Sequence, residues 1–145
     1  MLLDANLLLY AKLASYEQHH EAHAWLDERL NGRAKVGLPW PSLLAFMRLA
    51  TNPRFFPRPL SMATAWAQVR DWLALPTTWV PTPTDAHADV LDGLVVGQGL
   101  TPKLVTDAHL AALAIEHGLV LCSCDADFAR FEGLTWSNPL APARR

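Results

Sequence analysis

The chain has 145 residues, 12 basic and 14 acidic, for a formal charge of −2. That balance excludes a general electrostatic glue for nucleic acid and leaves only local basic patches for such a role. At 51% hydrophobic and 18% charged it is neither a disordered tail nor a charged linker, and no apolar run reaches the ~20 residues that cross a bilayer.

In chain order, Met1–Leu3 predicts a very short strand ended by Asp4. Asp4 also interrupts the N-terminal apolar stretch, with no basic region before it, so no signal peptide and a cytoplasmic location are expected. Tyr16 to Leu30 predicts a helix, because Ala22, Trp25, Leu26 and Leu30 recur at helical spacing with charges between them. Asn31-Gly32 stops it, and Lys35–Leu38 predicts a second short strand. Ser42 predicts the N-cap of a helix through Ala50, ended by Asn52-Pro53. A proline-punctuated loop over 54–59 leads to Ser61, the predicted N-cap of a helix to about Leu75. Trp79-Val80 predicts a strand, Asp85 to about Val96 a helix ended by Gly97-Gln98-Gly99, and Thr101-Pro102 the opening of a helix to His117 with Gly118 behind it. Leu119–Cys122 and Leu134–Trp136 predict the last strands. Short apolar strands alternating with helices predict a three-layer α/β/α sandwich around a short-stranded parallel sheet, as one domain over 1–145.

In open parallel sheets, ligands bind beyond the carboxyl ends of the strands. Asp4 follows the first strand, Asp125 and Asp127 follow Leu119–Cys122, and Asp107 lies near the N-terminal end of the helix feeding that strand. Each alone reads equally as a turn or cap residue; together they predict an acidic cluster. Clustered carboxylates repel and resist ionisation unless a cation is present. Oxygen-only ligands suit Mg²⁺ or Mn²⁺, and Asn6 stands close enough in sequence to hold a ligand or a water. Such a site suits phosphodiester hydrolysis.

These residues carry a resemblance. M-L-L-D-A-N at the start, V-T-D-A-H-L-A-A-L-A-I-E-H-G at 105–118 and S-C-D-A-D-F-A-R-F at 123–131 resemble PIN domains. With L-L-A-F-M-R-L-A-T-N-P at 43–53 and the terminal W-S-N-P-L, they resemble the mycobacterial and actinobacterial VapC toxins of toxin–antitoxin pairs. The resemblance implies a Mg²⁺-dependent endoribonuclease (Mn²⁺ as the alternative ion) that attacks RNA, such as tRNA or rRNA, with metal-activated water, leaving 5′-phosphate and 3′-hydroxyl ends. It also implies a VapB-type antitoxin and a homodimer. Asp4 matches the family's first acid, Asp107 the third and Asp125 the fourth, with Asp127 as an accessory acid. The second, normally a Glu on the helix after the second strand, falls on Ala45, and no acid stands between Glu28 and Asp71. Water or Ser42 fills that gap. Two rival readings are a catalytically weakened RNA- or antitoxin-binding module and a metal-dependent phosphatase of another α/β fold.

Arg48, Arg54 and Arg58 are the candidate phosphate contacts, Arg48 reading equally as a buried ion-pair partner. Trp40, beside a strand end, is a candidate base-stacking residue or a core anchor. His19, His20 and His23 lack a third ligand at metal spacing and read as a solvated helix face. Cys122 and Cys124, two apart on a strand, would make a strained bridge and are expected to be reduced. An antitoxin is expected to place Arg or Lys among the acids, with Trp25, Leu43 and Phe46 walling an apolar groove beside them.

Overall fold

In the computed structural model, which describes residues 1–142, five two-residue strands form one parallel sheet. They are β1 (Leu2–Leu3), β2 (Val36–Gly37), β3 (Thr78–Trp79), β4 (Leu121–Cys122) and β5 (Trp136–Ser137), in the order β3-β2-β1-β4-β5. Six helices join them: α1 (Ala5–Lys12), α2 (His19–Leu30), α3 (Trp40–Ala50), α4 (Met62–Leu73), α5 (His87–Val95) and α6 (Val105–Glu116). The expected α/β fold with a parallel sheet is what forms; the expected boundary at 145 lies outside the described residues.

Alternation along the strands sorts the core. Leu3, Val36 and Cys122 join a cluster with α1 to α4, whereas Leu2 and Leu121 join another with α5 and α6. The sheet is therefore covered on both faces, which is why its strands read as continuous apolar runs. Gly37 lets β2 approach its surroundings, since a Cβ there would lie 2.8 Å from Pro81 Cγ and 3.1 Å from the Met1 carbonyl oxygen.

Several local expectations change. Residues 5–12 form α1, which periodicity does not signal because Leu7, Leu8, Leu9 and Ala11 are all buried. Tyr16 lies outside α2, which begins at His19; its ring packs edge-on against Tyr10 and Phe56. Ser42 does not cap α3, because the helix already starts at Trp40 and Ser42 lies inside it. Ser61 does cap α4, accepting the Thr64 N–H at 3.1 Å. Thr101-Pro102 opens a 3₁₀ turn that runs into α6, and Gly118 ends that helix at φ 64°. Leu43 and Phe46 are fully buried in the core and cannot wall a groove; Trp25 is half-buried beside Pro139 and Leu140. Both cysteines are free thiols. No helix among the described residues is long and apolar enough to cross a membrane.

Candidate active site

The connection leaving β1 covers one face of the sheet and the connection entering β4 covers the other. The crevice of an open α/β sheet forms at such a reversal, outside the carboxyl ends of the strands. Leu3 pairs with Cys122, so the next residues, Asp4 and Ser123, meet at its floor.

Asp4 starts α1 as its N-cap, its Oδ1 accepting the Ala5 N–H at 2.7 Å. Its Oδ2 accepts from Asn6 Nδ2 at 3.0 Å and from the Ser123 hydroxyl at 2.7 Å. Ser123 is completely buried, and its oxygen in turn accepts from Asn6 Nδ2 at 2.9 Å and the Asp125 N–H at 3.0 Å. The Asn6 carbonyl takes the Cys124 N–H at 3.3 Å. Asn6 and Ser123 thus fix Asp4 and tie it to the loop carrying Asp125. Ser123 was not among the sequence candidates; the signal that finds it is register, a polar residue ending the strand beside β1.

Asp125 caps the 3₁₀ turn Ala126–Arg130 by accepting the Asp127 N–H at 2.8 Å. Asp127 is flanked by Lys103 at 3.6 Å and Arg130 at 3.3 Å. Burial, the largest influence, holds the Asp4 carboxyl above its ordinary value; hydrogen bonds from Ser123 and Ala5 oppose it, and the Asp125 charge adds to it. Asp107, in the first turn of α6, is pushed up to about 6, first by burial and then by Asp4, Asp125 and Asp127, with Lys103 opposing. The four acids therefore share one electrostatic site.

Asp4, Asn6 and Asp107 line a cleft of about 470 Å³ whose other wall is α3, with Ser42, Ala45 and Arg48. Arg48 is exposed, and no carboxylate pairs with it among the described residues. Arg54 and Arg58 lie on the exposed 51–60 loop, outside that lining. Trp40 faces Trp66 and Arg70 in a separate shallow cavity. The Nδ1–H groups of His19 and His23 donate to the Tyr10 and Ala11 carbonyls, at 2.9 and 3.2 Å.

A cation suits the chemistry of these donors. Among the described residues no three His, Cys, Asp or Glu side chains form a ready-made ion cage. Repulsion between charges nonetheless reaches several ångströms, whereas a metal–oxygen bond is about 2 Å. Mg²⁺ keeps several waters and is held through one or two carboxylates, so an open, oxygen-only set is compatible with it.

Comparison with known proteins decides the family. The model described as PIN domain matches residues 1–134. The chain belongs to the PIN domain family. The phosphatase of another α/β fold falls with that membership. Among curated relatives, the protein named Ribonuclease VapC37 of Mycobacterium tuberculosis is 49% identical over 140 residues, covering 97% of each chain. Ribonuclease VapC33 of the same organism is 43% identical over 137 residues, covering 94% of this chain and 96% of that one. Among solved structures, a chain in the VapBC2 complex of Rickettsia felis superposes with TM-score 0.67 at 14% identity, over 94% of this chain and 96% of that one. One in FitAcB of Neisseria gonorrhoeae gives TM-score 0.62 at 18% identity, over 95% and 96%. The PIN fold of this chain is thus shared over nearly its full length.

Proposed function

We propose that this chain is the ribonuclease toxin of a toxin–antitoxin pair, a metal-dependent endoribonuclease restrained by a VapB-type antitoxin. The observation that carries the reading is that Asp4 and Asp107 line one cleft, with the loop carrying Asp125 tied to Asp4 through the Ser123 hydroxyl. It is supported by the names of relatives at 43–49% identity. Asp4, Asp107 and Asp125 would hold Mg²⁺ or Mn²⁺, with Asp127 as the accessory acid. When bound, the ion supplies charge neutralisation at a phosphodiester and lowers the pKa of water.

The chain's own residues do the rest. Asn6 and Ser123 hold Asp4 in one rotamer, so the acid needs no reorganisation when substrate arrives. Arg48, alone on an otherwise uncharged α3, contributes a planar donor fork for an RNA phosphate. Lys103 and Arg130 beside Asp127 form a cationic rim around the acidic floor. Action in the cytoplasm as a homodimer completes the reading.

A non-cleaving binding module is the second reading, because Ala45 presents a methyl group where a carboxylate would complete the cleft. One experiment separates the two. Purified protein is expected to cleave unstructured RNA with Mg²⁺ or Mn²⁺, to stop with chelator, and to lose at least 100-fold in rate in Asp4→Asn and Asp107→Asn. RNA binding without cleavage establishes the second reading. Cleavage that survives chelation and both substitutions overturns the metal site.

A further inference from the structure

Ser42 is a buried polar residue that the fold leaves unexplained. It is 1% exposed, it is one of the residues lining the cleft with Asp4, Asn6 and Asp107, and its buried hydroxyl finds no hydrogen-bond partner among the described residues. A helical serine or threonine has a local outlet in the carbonyl one turn back. Thr51, closing the same helix, takes it by donating to the Met47 carbonyl at 2.7 Å. Ser42 does not. Buried hydroxyls are nearly always satisfied, and an exception marks strain, a missing water or a ligand.

Its position says which. Ser42, Ala45 and Leu49 succeed one another at spacings of three and four, and all three line the cleft. The row of α3 facing Asp4 and Asp107 therefore carries one hydroxyl and no carboxylate, within a stretch from 29 to 70 that contains no acid. A hydroxyl opposite two carboxylates cannot replace their charge. It can accept a hydrogen bond from a cation's coordinated water, which is a strong donor.

We propose that the Ser42 hydroxyl is the α3 contribution to the cleft, holding by hydrogen bond the water shell of a divalent cation bound through Asp4 and Asp107. This rests on the metal-dependent reading above. It makes Ser42 a positioning residue, acting through water rather than on the reacting atoms.

The test is Mn²⁺ titration of the full chain by calorimetry, with apo melting alongside. Ser42→Ala is expected to melt at or above the wild-type temperature, since an unpaired hydroxyl has gone, while its Mn²⁺ dissociation constant rises about tenfold. Ser42→Thr keeps the oxygen and is expected to bind within twofold of wild type. Ser42→Ala combined with Ala45→Glu is expected to recover affinity from the same helix row. Should Ser42→Ala fail to fold, Ser42→Cys is read instead, because it keeps the size and removes the oxygen. Wild-type affinity in the oxygen-free variant, with Asp107→Asn binding no Mn²⁺, overturns the Ser42 role and leaves the metal site standing. A wild-type chain that binds no Mn²⁺ overturns both.

Discussion

Two carboxylates meet in the cleft under different local rules. Asp4 is lifted by burial, yet accepts hydrogen bonds from Ala5, Asn6 and Ser123, so its position is fixed whatever its charge. Asp107 has burial and three like charges against it, with only Lys103 favouring ionisation. Its folded value of about 6 lies above the ordinary 3.8. Between those two values the folded chain holds more protons than the unfolded one, so this group's contribution falls as pH rises through that window. Above pH 6 the whole penalty is present. A two-unit shift corresponds to roughly 3 kcal/mol, which solvent screening at a half-buried site reduces to about 1 kcal/mol. Asp107→Asn is therefore expected to make the metal-free protein about 1 kcal/mol more stable at pH 7.5, a difference that fades toward pH 4. Chemical denaturation at the two pH values measures it. A variant less stable than wild type at pH 7.5 would show that the Asp107 carboxylate is held by favourable partners.

The helix carrying Asp107 is itself held by a polar clamp. Glu116, its side chain only 1% exposed, accepts the Thr84 N–H at 2.9 Å and the His87 Nδ1–H at 2.8 Å. The second nitrogen of His87 lies 3.0 Å from His109 Nδ1, and His117 donates to the Thr82 carbonyl at 2.7 Å. The histidines of α5 and α6 thus bind elements together, which accounts for them without chemistry at the acids. Glu116→Ala removes the acceptor shared by the exposed Thr84 N–H and the half-buried His87 imidazole, and is expected to cost about 1 kcal/mol in urea denaturation; no loss would mean that apolar packing alone joins α5 to α6. This clamp was invisible in the sequence, because its members come from three separate stretches of chain. The five strands, the Ser61 cap and the Gly118 stop were legible from local signals, although the strands expected at Trp79-Val80 and Leu134–Trp136 form at Thr78–Trp79 and Trp136–Ser137. Helix α1 was not, because three consecutive buried leucines, Leu7 to Leu9, blur the apolar-polar periodicity that reveals a helix. Ser42 misled for a related reason: a serine beside prolines suggests a cap, but Pro39 and Trp40 begin the helix earlier. The places of Asp4 and Asp125 were legible because strand ends are where a parallel sheet exposes its chemistry, whereas Asp107 reaches the cleft from the first turn of α6. Ser123 needed the pairing register, which only the folded sheet supplies.

The site joins distant parts of the molecule. Asp4 follows the first strand and Asp107 lies in the first turn of the last long helix, so the cleft is assembled from residues more than a hundred positions apart, with the Asp125 loop tied to its floor through Ser123. Without a cation these acids repel, and the fold brings them together against that repulsion through the Asn6–Ser123 bridge. A bound cation reverses the sign of the interaction. It binds the folded chain and not the unfolded one, so it stabilises by RT ln(1 + [L]/Kd), about 2.7 kcal/mol at a hundredfold excess over Kd. For a chain of this size that corresponds to a rise in Tm of roughly 8 °C. Wild-type protein is expected to show that rise with Mn²⁺ and to lose it with chelator. Asp107→Asn should begin from a higher metal-free Tm at neutral pH and respond little to the ion. Calorimetric scans of both proteins, with and without Mn²⁺, settle the matter. Equal ion-induced shifts in the two would place the cation away from Asp107, and the acids would then be a strained feature of the fold rather than the floor of a metal site.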